Sequence, residues 1–524
     1  MRLLGAQLFE GDEASARLRG RRVFGHQDSD DLFARRLAEA RAFGRASESL
    51  AASRPDLSAK TGLTAAQHVV AGLLVAAFIT CLVLDWQTTL AACGYALGLI
   101  FSLIIMLRLA AALSAMTKRS KGATSRAPNA RLWTLTILVP LLKEGPEVVR
   151  GLLNAIAQLD YPVGKLDVKI LVEADDDMTI SAVLAAQPPP WFEIIPVPPG
   201  QPRTKPKALN YGLATARGRV VAVFDAEDRP SPDQPRAAMA AFQSNPRSLA
   251  VVQAPLLIHN GKDGWLAKQF EIEYAIHFTV WLPFLARLGL PLALGGTSNY
   301  FCRRRLEQAG GWDAWNVTED ADIGLRLARF GGGAVMINEP TYEEAPSRIK
   351  PWMSQRTRWM KGHLQTWLVL MRKPFSAAQE MGGFEFAATQ VTFGGALLAS
   401  IMHAPLFIWI FASVLLFRNF EAWHVALFSV GYGSVLAAAL AAKARHARLS
   451  TLLTLPFYWP LQSIAMVRAM FEMLHNPHFW AKTPHGAAKP TPSSEITPVP
   501  VQHPDNVFQL EFPFEQNRAI WSRD

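Results

Sequence analysis

Val220-Val221-Ala222-Val223-Phe224-Asp225-Ala226-Glu227-Asp228 is an apolar stretch that stops abruptly on carboxylates. Short β-rich runs of similar texture occupy residues 134–139, 168–172, 194–197 and 249–253, with helical stretches such as 146–159 and 208–216 between several of them. Strands alternating with helices predict an α/β domain, a parallel sheet with helices on its faces. Ligands in such sheets sit at the carboxyl ends of the strands. Glu144, Asp175, Asp176, Asp177 and Asp225 each fall just past an apolar run, which predicts an acidic edge to the sheet.

Outward from this domain the texture changes. The chain has 524 residues, half of them hydrophobic, and a mean hydropathy of +0.12, high for a purely soluble protein. Residues 69–84 and 90–107 are nearly free of charge. With their flanks they reach the roughly 20 residues that cross a bilayer. Only Asp85-Trp86-Gln87-Thr88-Thr89 separates them, so they read as a helical hairpin. Residues 391–417, 422–442 and 449–466 repeat the pattern, although Gly394-Gly395 and Pro405 admit a re-entrant segment or two short helices in the first run. The predicted organisation is a polar segment 1–64, a transmembrane hairpin 65–115, an α/β domain 131–375, a membrane region 384–474 and a tail 475–524. Residues 265–288, aromatic and amphipathic, read either as a helix in the membrane interface or as an ordinary core helix.

Lys and Arg crowd the segments before and after the first hairpin, including Arg17, Arg19, Arg21, Arg22, Arg108, Lys118 and Arg119. The positive-inside rule then places both ends of the hairpin, and the α/β domain, in the cytosol. The net charge of +10 gathers beside the apolar runs, so membrane lipid, not nucleic acid, is the expected partner. Cys81, Cys93 and Cys302 have no paired spacing, which excludes a disulfide framework and a thiolate metal site. The first 30 residues lack an apolar core, so no cleavable signal peptide is expected.

Side chains at i and i+2 of an extended segment share a face, so Asp225 and Glu227 can converge on one hard cation, Mg2+ or Mn2+. Asp228 beside them leaves open which carboxylate binds, and a solvated acidic turn is the plain alternative. Thr318-Glu319-Asp320 follows a turn-rich Gly310-Gly311-Trp312-Asp313 and offers a carboxylate able to accept a proton, or merely a cap on the helix that follows. Asp322 is expected to pair with Arg326, four residues on. In Gln355-Arg356-Thr357-Arg358-Trp359, Gln355 and Arg358 lie one helical turn apart. Arg358 has the fork that grips a diphosphate, and Trp359 a face for a sugar ring.

In this order the three clusters resemble the membrane-embedded family 2 glycosyltransferases, the group that contains bacterial cellulose synthase and hyaluronan synthase. The last cluster fits the family's Gln-x-x-Arg-Trp letter for letter, while the family's Asp-x-Asp reads Asp225-Ala226-Glu227 here. The resemblance spans residues 134–370 and implies a GT-A-like, Rossmann-like cytosolic domain inserted between transmembrane helices. It implies Asp320 as the base, and Asp225 and Glu227 as the metal ligands. It further implies substrate contacts from Glu144, Asp175, Asp176, Lys207, Glu319, Gln355, Arg358 and Trp359. Gly295-Gly296-Thr297-Ser298 resembles the small-residue segment under the acceptor sugar, and Lys482-Thr483 resembles a pair in the cellulose synthase gating loop.

The activity implied is inverting transfer from a nucleotide-sugar donor, UDP-glucose or UDP-N-acetylglucosamine, to a polysaccharide acceptor. The setting implied is the bacterial inner membrane, with room for accessory export subunits. Single transfer to a lipid carrier is the alternative within enzymes. A transporter or receptor with a nucleotide-binding domain is the rival class; it requires polar residues inside the spans, where only His403 and Arg468 stand out.

Overall fold

Strand β1 (Leu135–Leu141) lies at the centre of a parallel set, flanked by β2 (Leu166–Glu173) and β4 (Val220–Val223), with β3 (Phe192–Val197) beyond β2. The computed structural model describes residues 41–117, 131–244, 248–412 and 422–480. Past β4 the direction reverses. Strand β8 (Asn299–Cys302) runs antiparallel between β4 and β6 (Leu249–Gln253), and β9 (Gly333–Met336) closes the seven-stranded sheet parallel to β6. A second sheet joins β5 (Arg229–Pro230), β10 (Thr341–Glu343) and β7 (Leu256–Ile258).

Burial on both faces explains the unbroken apolar runs. Leu135, Ile137, Val139 and Leu141 of β1 pack with Val149, Leu152 and Ile156 of helix α3 (Pro146–Ala157) on one side. Leu138, between them in sequence, packs on the other side with Leu171, Val221 and Val223 and with Leu209 of helix α5 (Lys205–Leu213). Here α4 denotes Asp177–Ala185, the short helix after β2. All five strands expected from the sequence are present; the short β5, β7, β8, β9 and β10 were not anticipated.

The register fixes what meets at the acidic edge. Val223 at the end of β4 pairs with Asn299 at the start of β8. The segment Gly295–Ser298, which feeds β8, therefore arrives beside Asp225. Helix α8 (Glu319–Arg329) follows, its start tied to the Gly310-Gly311 turn. Arg326 binds Asp322 at 2.5 Å and donates to the carbonyls of Ala309 and Gly311 at 2.6 and 2.7 Å, all in the interior.

Among the described residues, four helical spans are long and apolar enough to cross a membrane: α1 (Ala65–Leu84), α2 (Trp86–Thr117), Gly383–Trp409 and α11 (Ala422–Ala441). Within the third span, Gly395–Ala412 is α10. Most of α1 is bare of protein, with Leu74 and Val83 67% and 80% exposed, an apolar surface suited to lipid. Residues 449–466, the third C-terminal run, do not form such a span. They break after Leu452, and helix α12 (Leu455–His475) buries Tyr458, Ala465, Met466 and Ala469. Arg108, placed by the sequence beyond the second run, falls inside α2, where it donates to Ser434 Oγ at 3.2 Å.

Of the two readings of residues 265–288, the structure shows the core helix, a mostly buried α7 (Trp265–Ile276) continued through a π turn at His277–Trp281 and a short helix, Leu282–Arg287. The described part of the N-terminal segment sits on the α/β domain: Ser58 Oγ and Ala59 N donate to Asp313 at 2.9 and 2.5 Å.

Removing Arg326 strands Asp322 inside the fold. Arg326→Leu should cost about 3–5 kcal/mol, seen as a lower thermal midpoint of the detergent-solubilised protein. Asp322→Leu combined with Arg326→Leu should lose less than Arg326→Leu alone, and an equal or greater loss would show that the ion pair is not what holds the turn.

Candidate active site

One cavity at the carboxyl edge of the sheet is lined by Glu144, Asp225, Glu227, Glu319, Asp320, Gln355, Arg358 and Trp359. Its centre of charge is Lys205. The Lys205 Nζ lies 2.5 Å from Asp225 Oδ1 and 3.6 Å from Glu319 Oε1, and it donates to the Gly296 carbonyl at 2.6 Å. Burial alone would lower its pKa, but Asp225, Glu319 and Asp320 hold it above the usual lysine range. A Cβ built on Gly296 would stand 3.4 Å from Asp320 Oδ2, 3.8 Å from Asp225 Oδ2 and 3.9 Å from Lys205 Nζ. The two carboxylates and the ammonium thus approach one point above Gly296.

Asp228 separates from its neighbours. It is fully buried, accepts from Asp225 N at 2.6 Å and bonds Thr297 Oγ1, while Asp225 and Glu227 face the cavity. Burial and then the charges of Asp225 and Glu227 push its carboxyl well above the ordinary range. Its Oδ1 is buried with no hydrogen-bond partner. Among the described residues no three acidic, His or Cys side chains converge as a ready-made cage. Two cavity-facing carboxylates over a third one in the interior, with all donors oxygen, fit Mg2+ or Mn2+ completed by substrate phosphates.

Glu319 and Asp320 open α8, where the helix N-terminus favours negative charge. Burial outweighs that. Glu319 is pushed up to about 7 by burial, with Lys205 pulling it down and Asp320 pushing it further up. Asp320 is likewise raised by burial, opposed by the Ala321 amide, Lys205 and Arg358, and its Oδ1 is buried without a partner.

Helix α9 (Ile349–Leu370) supplies the opposite wall. Gln355, Arg358 and Trp359 line the cavity, with Gln355 Oε1 and Arg358 Nε unpartnered. Arg358 stands 5.3 Å over the ring of Trp480. Arg356, inside the same motif, grips Glu273 with both terminal nitrogens at 2.6 Å and stacks 4.7 Å from the Trp359 ring. Tyr274 stacks on Trp359 at 6.2 Å. The same helix holds the turn before α8: Gln365 accepts from Val317 N at 3.2 Å and Thr366 from Asn316 at 2.9 Å.

Three predicted site residues lie outside the cavity lining. Lys207 is fully buried and pairs with Glu173 at 2.7 Å. Residues i and i+2 of a helix point about 200° apart, so α5 can turn only one of its two lysines to the cavity, and that one is Lys205. Asp175 is held by both terminal nitrogens of Arg203 at 3.0 and 2.8 Å. Asp176 caps α4 by accepting from Thr179 N at 3.2 Å. Glu173, the last residue of β2, lines the cavity instead. Lys205, Glu173, Tyr274, His277, His363, Glu343 and Trp480 are lining residues that the sequence reading missed. Strand ends and helix phase were the available signal for Glu173 and Lys205.

A second cavity lies between the α/β domain and the membrane-length helices. Glu273, His277, Leu294, Arg356, Trp359 and His363 line both cavities and form their common wall. Beyond that wall the second is lined by Ile104, Arg108, Leu397, His403, Val435 and Trp459 among others, mostly apolar.

Residues 220–461 match the family model described as glycosyl transferase family group 2, so the chain carries a family 2 glycosyltransferase domain over them. The probable glycosyltransferase YdaM of Bacillus subtilis (strain 168) is 28% identical over 242 residues, 44% of this chain and 55% of the relative. The beta-monoglucosyldiacylglycerol synthase of Synechocystis sp. is 25% identical over 275 residues, 51% of this chain and 56% of the relative. The chain thus spans about half the length of these curated relatives. Among solved structures, the mannosyltransferase PcManGT from Pyrobaculum calidifontis, in complex with GDP-Man and Mn2+, aligns with a TM-score of 0.47 at 19% identity. That alignment covers 72% of this chain and 98% of the other.

Gly362 of α9 crosses Thr318 so closely that a Cβ would overlap Thr318 Oγ1 and stand 2.6 Å from its Cγ2 and 2.7 Å from its amide nitrogen. Gly362→Ala should therefore cost about 1–3 kcal/mol through overpacking, measured as a lower thermal midpoint. An unchanged midpoint would show that the α8–α9 crossing yields freely.

Proposed function

We propose that the domain transfers a sugar from a nucleotide-sugar donor, UDP-glucose or UDP-N-acetylglucosamine, to a growing β-linked polysaccharide, with inversion at the anomeric carbon. The observation that carries this reading is that Asp225, Glu227, Asp320, Arg358 and Trp359 line one cavity. Inversion by single displacement requires one base and a stabilised leaving group, both held in place before the reaction. Asp320 takes the proton of the attacking acceptor hydroxyl. Its burial favours the neutral acid, which makes its carboxylate a stronger base than an exposed aspartate.

Arg358 and Lys205 receive the charge that builds on the departing diphosphate. Asp225 and Glu227 would hold the divalent cation, which when bound neutralises the diphosphate further. Asp228 keeps the backbone of Asp225 in place from below. Trp359 presents its face to the acceptor sugar, steadied by Tyr274 and by the Arg356 guanidinium. The second cavity, reached past the wall that contains Trp359, leads the acceptor toward the membrane-length helices. This fits a cytosolic domain on a bacterial inner membrane, with export subunits beyond it.

A second reading, transfer of one sugar to a lipid, draws support from the mostly apolar lining of that second cavity. Incubation of purified protein with each radiolabelled UDP-sugar and Mg2+ or Mn2+, followed by sizing of the product, separates the two. A polymer supports the first reading and a lipid-extractable monoglycoside the second.

Asp320→Asn should abolish transfer while nucleotide binding survives, because shape is kept and only the proton acceptor is lost. In the parent enzyme the acid limb of kcat/KM should fall above the ordinary aspartate range, since burial raises Asp320 and its partner Glu319 is pushed up to about 7. Near-normal turnover of the variant, or an acid limb near pH 4, would remove Asp320 from the role of base.

Trp359→Ala should harm elongation more than donor hydrolysis, since water can replace a poorly held acceptor. The lost stacking is on the order of 1–3 kcal/mol, by analogy with stacking of bases on aromatic side chains. Equal loss of polymer and of nucleotide release would make Trp359 a structural residue.

A further inference from the structure

His277 and His363 stand in the wall between the two cavities, next to Trp359, and the chemistry assigned so far uses neither. His363 is one helical turn beyond Trp359 on α9, so both side chains leave the same face. His277 opens the π turn in the helix from Trp265, and one turn before it Tyr274 stacks on Trp359. Such an inserted residue re-aims the side chains around it and recurs at functional sites. Both rings are held by aromatic edges, His277 at 5.0 Å from Phe278 and His363 at 5.3 Å from Phe393. Neither has a hydrogen-bond partner among the described residues, whereas the Nδ1 of His478 bonds the Trp315 carbonyl at 2.8 Å.

Resting on the glycosyltransferase reading, we infer that His277 and His363 are a hydrogen-bonding pair that holds hydroxyls of the acceptor's sugar beside Trp359. Each half-buried ring lines the cavities on both sides of the wall, so its ring nitrogens, unpaired within the protein, are open to the hydroxyls of a ligand there. The diphosphate is excluded as that ligand. Burial pushes both imidazoles down to about 4, with Arg356 lowering both and Glu273 opposing it at His277. They are neutral near pH 7 and offer an anion no charge. A neutral imidazole carries one donor and one acceptor, the complement of a hydroxyl, which is also both. Cations for the diphosphate stand at Lys205 and Arg358, whereas the histidines stand where the cavity turns toward the membrane-length helices.

The sugar could belong to a free chain end or to a glycolipid, and two probes distinguish them: a soluble β-linked glucose tetrasaccharide, and octyl β-glucoside in mixed micelles. Binding of each is followed by tryptophan fluorescence, which needs no turnover. Transfer to each, and nucleotide release without acceptor, are measured with the UDP-sugar that the parent protein uses. His277→Leu and His363→Leu should each weaken binding and raise the acceptor KM about tenfold while leaving acceptor-free nucleotide release unchanged. His363→Gln, which keeps a donor and an acceptor, should recover most of the loss. An effect confined to the tetrasaccharide assigns the pair to a free chain end, and one confined to octyl β-glucoside to a glycolipid. Unchanged binding and KM, parallel loss of release and transfer, or a parent protein that binds neither probe would overturn the pair. A parent protein that binds a probe yet releases no nucleotide from either UDP-sugar counts against the glycosyltransferase reading alone.

Discussion

Lys205 holds the site together. Its ammonium touches three segments that are distant in sequence: Asp225 at the end of β4, the Gly296 carbonyl on the way into β8, and Glu319 at the start of α8. Four acidic side chains, Asp225, Asp228, Glu319 and Asp320, would repel one another in the interior without a counter-charge. One lysine offsets only part of that repulsion, and burial, more than the neighbouring charges, raises the carboxyls of Asp228, Glu319 and Asp320 above the ordinary range. A surplus of buried negative charge, open to a cavity, is what gives a divalent cation or a donor's counter-ions a reason to bind.

Helix α9 carries that constraint toward the membrane. One face presents Gln355, Arg358 and Trp359 to the cavity, while Gly362, Gln365 and Thr366 grip the turn that positions Glu319 and Asp320. A third group on the same helix reaches the last helix: Arg356 through Glu273 to Tyr458, which donates to Glu273 at 2.7 Å, and Lys361 to Glu472 at 3.0 Å. Asp320, Arg358 and Trp359 are therefore built on elements that cannot shift independently. In the proposed reaction all three must reach one anomeric carbon, and the same contacts tie the cavity to the last helix of the described chain.

The split between charged and neutral groups in the cavity gives the substrate a direction. Lys205 and Arg358 stand with the carboxylates, while Trp359, His277 and His363, beside the paired Arg356 and Glu273, form the wall shared with the second cavity. In the proposed reaction the donor's diphosphate belongs at the first of these ends and the acceptor's hydroxyls at the second. The family 2 match over residues 220–461 includes Asp225, Asp320, Arg358 and that wall, but not Lys205.

Much of this was legible in the residues. Apolar runs ending on acids predicted the parallel strands and the edge at which Asp225 lies, and uncharged runs of about 20 residues predicted the membrane-length helices. The spacing within Gln355–Trp359 predicted a shared helical face. What escaped were matters of phase and of long-range packing. Helix phase tells that only one of Lys205 and Lys207 can face the site, but which one depends on where α5 starts relative to the sheet. The same holds for Glu173 against Asp175 and Asp176, where the strand ends one or two residues before the obvious acidic pair. Nor does local pattern show that residues 455–475 bury one face against the fold, that Arg108 turns inward, or that His277 and His363 line the same wall as Trp359. Sequence by itself determined which segments become strands, helices and carboxylate-bearing ends, because those follow from periodicity and local chemistry. Only the tertiary structure decided which charges face one another, because that is set by register, helix phase and crossings between residues far apart in the chain.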